Sequence, residues 1–188
     1  MVQAKNNIRL VLALLLLFTL TACSGGGGAP AQPAPPADTL TGELPEIIAA
    51  LIAGANENLT EKLPQSFEDP VTAENCQGML GLTPEQFSEY VTEAYVSNSA
   101  LTTSAHEIAL VKCLDQAAAA EVKNLIAQGF DSGKWVCVMP DESSVIDSGS
   151  YVLLLSTAAQ YADALTASFT ALAADNTGEK NVFYSGAP

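Results

Sequence analysis

Arginine occurs once in this 188-residue chain, at position 9, and histidine once, at position 106. Seven basic residues face 21 acidic ones, for a formal net charge of −14. Nucleic-acid binding needs Lys and Arg clustered against phosphate, so no nucleic-acid partner is expected. The same deficit argues against docking on anionic lipid by surface charge. With one histidine and no Cys-x-x-Cys pair, no zinc-ligand set can be assembled from a local motif. There is no Gly-x-Ser-x-Gly elbow, no glycine-rich phosphate loop and no His-Glu-x-x-His. The expectation is therefore no catalytic residue, no metal and no cofactor. Long apolar runs are also lacking. The only one is Leu10–Leu20, eleven residues broken by Thr19, where a membrane-spanning helix needs about 20.

That short run has a different use. Lys5 and Arg9 precede it, and Leu20-Thr21-Ala22-Cys23 follow it, ahead of Ser24 and four glycines. A charged n-region, a short apolar h-region and small residues make a signal peptide. Leu, Thr and Ala before a cysteine resemble the lipobox of bacterial lipoproteins. The resemblance implies cleavage after residue 22 and a diacylglyceryl group on the sulfur of Cys23. Further acylation of its amine, with a chain such as palmitate, would complete the anchor. Two or more acyl chains hold a protein stably at a membrane, where one does so marginally. The implied address is the extracytoplasmic face of the cell membrane, with the lipid on Cys23 as the membrane contact.

After Cys23, residues 24–38 are Gly, Ala, Pro, Gln and Ser, with Asp38 as the one charge, so 23–38 comprises the lipidated cysteine and this segment. This composition cannot bury enough apolar surface to fold and reads as a flexible tether. One domain is expected over 39–175, with a polar tail over 176–188. Once the signal leaves, five lysines face 21 acidic residues, a net of −16. Such acidity implies solubility and self-repulsion. Cys76, Cys113 and Cys137 remain beside the lipidated cysteine. Three thiols allow at most one internal bridge. Cys113 with Cys137 is the pair to test, against three small buried apolar residues.

The pattern within the domain predicts a helix over 43–63, with Leu44, Ile47, Ile48, Leu51 and Ile52 on one face. A turn-rich segment covers 64–81. Thr83-Pro84-Glu85-Gln86 is a capping box, opening a helix kept short by alternation from Tyr90 to Ser97. His106–Leu114 alternates as a second strand and should close an antiparallel hairpin with the first. Asp115 caps a helix from Gln116. Its end is ambiguous: Gly129 and Gly133 disfavour it, while Trp135–Met139 could extend it or form a separate helix before Pro140. Val145 and Ile146 start a third strand. Tyr151–Leu155, continuously apolar, is a fourth and should be central. Thr157-Ala158-Ala159-Gln160 repeats the capping-box pattern, and the last helix runs to about Ala174.

The expected fold is α+β: a helix, then two strand-strand-helix units, with helices on one face of a mostly antiparallel four-stranded sheet. No residue-level similarity between the two units supports a repeat. The order of pieces from 82 to 172 is informative. Glu89-Tyr90-Val91 opens the first strand, and Ala105-His106-Glu107-Ile108-Ala109-Leu110-Val111-Lys112 forms the second. A helical stretch then closes at Pro140, and Gly149-Ser150-Tyr151-Val152-Leu153-Leu154 precedes the last helix. This order, together with the signal, resembles an uncharacterised family of bacterial lipoproteins, domain of unknown function 4358. The resemblance implies a signal and tether joined to one domain, and brings no activity with it.

Individual side chains offer few sites. Tyr90, Tyr95, Trp135 and Tyr151 could form an exposed recognition patch, although half-buried sheet positions are the commoner fate of such residues. His106 shares a strand face with Ile108 and Leu110 and is expected at an edge or surface. Glu107 and Lys112 lie on opposite strand faces and are expected to be solvated. Asp141, Glu142 and Asp147 surround a turn without calcium-loop spacing. The preferred expectation is a non-catalytic binding or assembly module, engaging an unknown envelope protein or small ligand and showing an apolar patch on a free sheet face. The alternatives are a small-ligand or cation receptor associated with a transporter, and an envelope enzyme. The enzyme would need a concave pocket with at least two convergent titratable groups.

Overall fold

The computed structural model describes residues 38–100 and 104–186. The signal segment, Cys23 and the tether up to residue 37 lie outside the described residues. Among those described, no helix is long and apolar enough to cross a membrane.

Helix α1 (Leu44–Glu57) opens the domain, with Pro45 in its first turn and a capping box between Glu43 and Glu46. It stops short of Leu63. Asn58 takes the C-cap, and the Asn56 side chain accepts the Leu63 amide at 2.9 Å, which folds the following loop back onto the helix end. Strand β1 (Ser66–Pro70) and the short helix α2 (Cys76–Leu80) follow. Helix α3 (Pro84–Tyr90) forms with its capping box as expected: Thr83 accepts from the Gln86 amide, and the Gln86 side chain returns to the Thr83 amide. Strands β2 (Val91–Ser99) and β3 (Glu107–Cys113) make the expected antiparallel hairpin. Asp115 caps helix α4 (Gln116–Gly129), accepting from the Ala118 amide at 2.8 Å. Trp135–Met139 is irregular and neither extends α4 nor forms a helix. Strands β4 (Glu142–Ser148) and β5 (Tyr151–Thr157), helix α5 (Ala159–Leu172) and strand β6 (Asn181–Ser185) complete the order.

The fold is α+β with an antiparallel open sheet, as expected, but the sheet has six strands rather than four. Its order is β1-β2-β3-β5-β4-β6, and every pairing is antiparallel. The two extra strands are the edges. β1 lies in the segment read as turns, and β6 in the segment read as a polar tail. Both are short and largely exposed, and β1 carries Glu68, Asp69 and Pro70, the residues that protect an edge from further pairing. β5 is buried along its whole length and is central, as its apolar run requires.

The helices do not share one face of the sheet. Ile108 and Leu110 of β3 and Leu153 and Leu155 of β5 pack with α1 and α5. Ala109 and Val111 of β3 and Val152 and Leu154 of β5 point the other way, into a core closed by α2 and α4. Both residue parities of the two central strands are therefore buried. At roughly 25 cal/mol per Å² of apolar surface removed from water, this two-sided burial dominates the stability of the domain.

The Thr157 capping box does not form. Helix α5 has Ala158 at its N-cap without a side-chain bond, because β5 continues through Thr157. Helices α2 and α4 meet at their ends through Gly81 and Gly129. A Cβ on either glycine would fall well inside contact distance of the other's backbone. Gly81 also takes the left-handed conformation, at φ 73°, that closes α2. The first described residue is tied down too: the Asp38 carboxylate accepts the Ser150 amide and hydroxyl, each at 2.7 Å.

The path β3–α4–β4 crosses over β5 and brings the segment 130–141 to the sheet end where β3 begins. That crossing positions the site.

Candidate functional site

One transverse row of the sheet, on the α4 side, is polar on its four inner strands where its neighbours are apolar. In register across the strands stand Phe67, Asn98, Glu107, Ser156, Ser143 and Tyr184. The adjoining positions on the same face are Val96, Ala109, Leu154 and Val145. Polar groups inside the sheet need partners. Ser143 and Ser156 share a hydrogen bond of 2.8 Å, and Ser132 donates to Ser143 at 2.9 Å. The Asn98 amide reaches the Met79 sulfur at 3.8 Å.

Glu107 is the exception in the row. Its side chain is 1 % exposed, and its Oε2 forms an ion pair with Lys134 Nζ at 2.6 Å. Its Oε1 is buried and has no hydrogen-bond partner among the described residues. Burial pushes the carboxyl up to about 7, although the Lys134 ammonium pulls the other way. Desolvation thus outweighs the ion pair, the usual outcome when one partner is buried and the other is not. Lys134 is half-held. Its ammonium also donates to the Gly78 carbonyl at 3.0 Å and lies over the rings of Phe130 and Trp135, at 4.6 and 5.3 Å from their centroids.

Glu107 and Lys134 line a cleft of about 700 Å³. Met79 of α2, Asn98 at the end of β2, and Trp135, Val136 and Val138 of the loop after α4 supply its walls. Cys137 also lines it, with its backbone at φ 67°. The walls are mainly apolar, with the acid and ammonium as the charged features, which is the usual make-up of a small-ligand site. Val136 is 83 % exposed, so the cleft opens to solvent on an apolar lip.

The residues singled out from sequence fare differently. The four aromatics do not form a patch. Tyr90 and Trp135 pack on the α4 side of the sheet, Tyr95 on the α1 side, and Tyr151 is buried there. Only Trp135 reaches the cleft. Cys76, Cys113 and Cys137 are all free thiols, so the Cys113–Cys137 bridge is not formed. Cys113 ends β3, while Cys137 lines the cleft at the Glu107 end of that strand. Six residues of strand separate those ends, about 20 Å, whereas a disulfide needs its Cα atoms within about 7 Å. Burial pushes the Cys113 thiol up to about 12, so it is inert.

His106 is neither an edge nor a surface residue. It is 1 % exposed, its Nδ1 lies 2.7 Å from Thr157 Oγ1, and its ring meets Tyr161 edge-on. Burial lowers its pKa to about 4, so the ring is neutral at pH 7. It sits on the face opposite Glu107. Glu107, against the expectation of a solvated strand residue, is buried. The acidic turn is occupied by ion pairs: Asp147 with Lys123 at 2.6 Å and Glu142 with Lys180 at 2.7 Å. Among the described residues no group of three potential ligands could hold a metal ion.

Glu107 carries one sequence signal of its burial, and Lys134, in a loop far along the chain, carries none. Both parities of the β3 pattern are apolar, which places a carboxylate at its start among buried neighbours. No protein-family model, curated protein or solved structure matches this chain.

Proposed function

We propose that the protein is a lipid-anchored, extracytoplasmic binding module whose ligand is a small molecule seated in the Glu107 cleft. The lipobox around Cys23 and the Gly/Pro tether support the anchoring, as does the order of pieces that resembles the lipoprotein family. One observation carries the ligand reading: Glu107 Oε1, buried and unpartnered, at a cleft with apolar walls. An unmatched buried acceptor costs about 1–3 kcal/mol. A ligand that donates an N–H or O–H to it recovers that cost, and Met79, Trp135 and Val138 bury an aromatic or branched body. Helices cover both faces of the sheet, so the open apolar sheet face expected of an assembly module has no counterpart among the described residues.

Calorimetry and thermal shift test this with a panel of small aromatic and branched compounds, each paired with an isostere lacking the donor. Donor compounds should bind the wild type and lose about tenfold in affinity on Glu107→Leu, the worth of one net hydrogen bond. Equal binding of both isosteres, or no binding at all, refutes the assignment. The anchor is tested separately: Cys23→Ser should release the chain from membranes in a fractionation assay.

An enzyme is the second reading, favoured by the convergence of Glu107 and Lys134 in one cleft. Conversion of a bound panel compound, followed by mass, would select it.

A further inference from the structure

Three observations meet in the cleft and go beyond reversible binding. Cys137 is the exposed thiol of the three, while Cys76 and Cys113 are buried. Its residue is held at φ 67°, a conformation that L side chains seldom adopt and that persists only where the surroundings impose it. It shares the cleft with Glu107, a side chain 1 % exposed whose Oε2 pairs with Lys134 and whose buried Oε1 has no partner among the described residues. A nucleophile and a buried hydrogen-bond acceptor thus line one cavity.

We propose that Cys137 is a thiol-exchange site that captures low-molecular-weight disulfides bearing an apolar body and an N–H or O–H donor. This rests on the small-ligand reading of the cleft. The Cys137 thiol gives its proton to solvent, and the thiolate attacks one sulfur of the disulfide. The Cys137–sulfur bond forms as the reagent's S–S bond breaks. The other half leaves as a thiolate and takes a proton from solvent. One disulfide is exchanged for another, so no further oxidant or reductant is consumed. The donor of the retained half pairs with Glu107, and its ring rests against Trp135 and Val138. An extracytoplasmic address would expose the thiol to such disulfides.

The test uses two neutral reagents of one shape on the full chain, bis(para-aminophenyl) disulfide and bis(para-tolyl) disulfide. Adducts are mapped by mass spectrometry, and each rate is normalised to that of free cysteine. The amine reagent should label Cys137 alone, about tenfold faster than the tolyl reagent after normalisation. Glu107→Leu, or Glu107→Met if the leucine variant does not fold, should remove the preference while leaving Cys137 reactive. Cys137→Ser should abolish the adduct. Labelling of Cys76 or Cys113 instead, or equal normalised rates in the wild type, overturns the proposal. Calorimetry with para-(methylthio)aniline, which cannot exchange, separates the two readings. If it binds and Cys137 stays unlabelled, thiol capture falls and the ligand site stands. If it does not bind and labelling shows no preference, both fall.

Discussion

His106 and Glu107 are adjacent in sequence, face opposite sides of the sheet and titrate against each other. Burial lowers the His106 pKa from 6.5 to about 4 and raises that of Glu107 from 4.5 to about 7. A base with a lowered folded pKa stabilises the fold above its unfolded value, and that share is lost as pH falls through 6.5 toward about 4. An acid with a raised folded pKa does the reverse: its share is complete below 4.5 and is lost as pH rises toward about 7. Between about pH 5 and about pH 7.5 each shift is worth roughly 2 kcal/mol, with opposite sign, so in the wild type the two nearly cancel.

Removing either residue exposes the other. Relative to wild type, Glu107→Leu should gain about 2 kcal/mol on going from about pH 5 to about pH 7.5. His106→Phe should lose about as much over the same range. The lost hydrogen bond to Thr157 adds a constant offset, which leaves the slope untouched. The assay is urea unfolding at four or five pH values, with the variant-minus-wild-type difference plotted against pH, so that the other carboxylates cancel. A flat difference for either variant refutes the burial argument for that residue. A slope of the wrong sign for Glu107→Leu would mean that Lys134 dominates desolvation, the reverse of the balance argued above.

Other consequences follow from single contacts. Gly129→Ala should push α4 away from Gly81 and cost at least about 2 kcal/mol in urea unfolding, against the roughly 1 kcal/mol gain expected for Gly→Ala in an unhindered helix. Asp38→Ala removes both bonds to Ser150 and should lower stability by about 1–3 kcal/mol, measured the same way. Lys123 joins α4 to Asp147 and to the Glu179 carbonyl, so Lys123→Met should speed amide exchange across 181–185 while leaving β5 protected.

What the sequence shows of this fold is what depends on near neighbours. The Thr83 and Asp115 caps, the β2–β3 hairpin and the central β5 all follow from spacing along the chain, and all are present. What it hides depends on strands far apart in sequence. Thr157 looks like a helix cap until His106, 51 residues away, takes its hydroxyl. β1 lacks apolar alternation because it is an edge. β6, with Val182, Phe183 and Tyr184, has strand propensity but needs the exposed side of β4 to pair with. The site belongs to the same class. Alternation along β3 tells which residues share a face with Glu107, but not which lysine reaches it. Ile108 and Leu110 on one parity and Ala109 and Val111 on the other together imply two-sided burial, and a carboxylate at the start of such a strand then needs a cation. The chain has few to give. After Lys5 and Arg9 only five lysines remain for 21 acidic residues, and one of them is committed to Glu107, leaving its second oxygen without a donor. In so acidic a chain an ion pair with a buried carboxylate is unlike a solvated surface charge: one lysine answers one oxygen, and the other is left buried without a donor among the described residues.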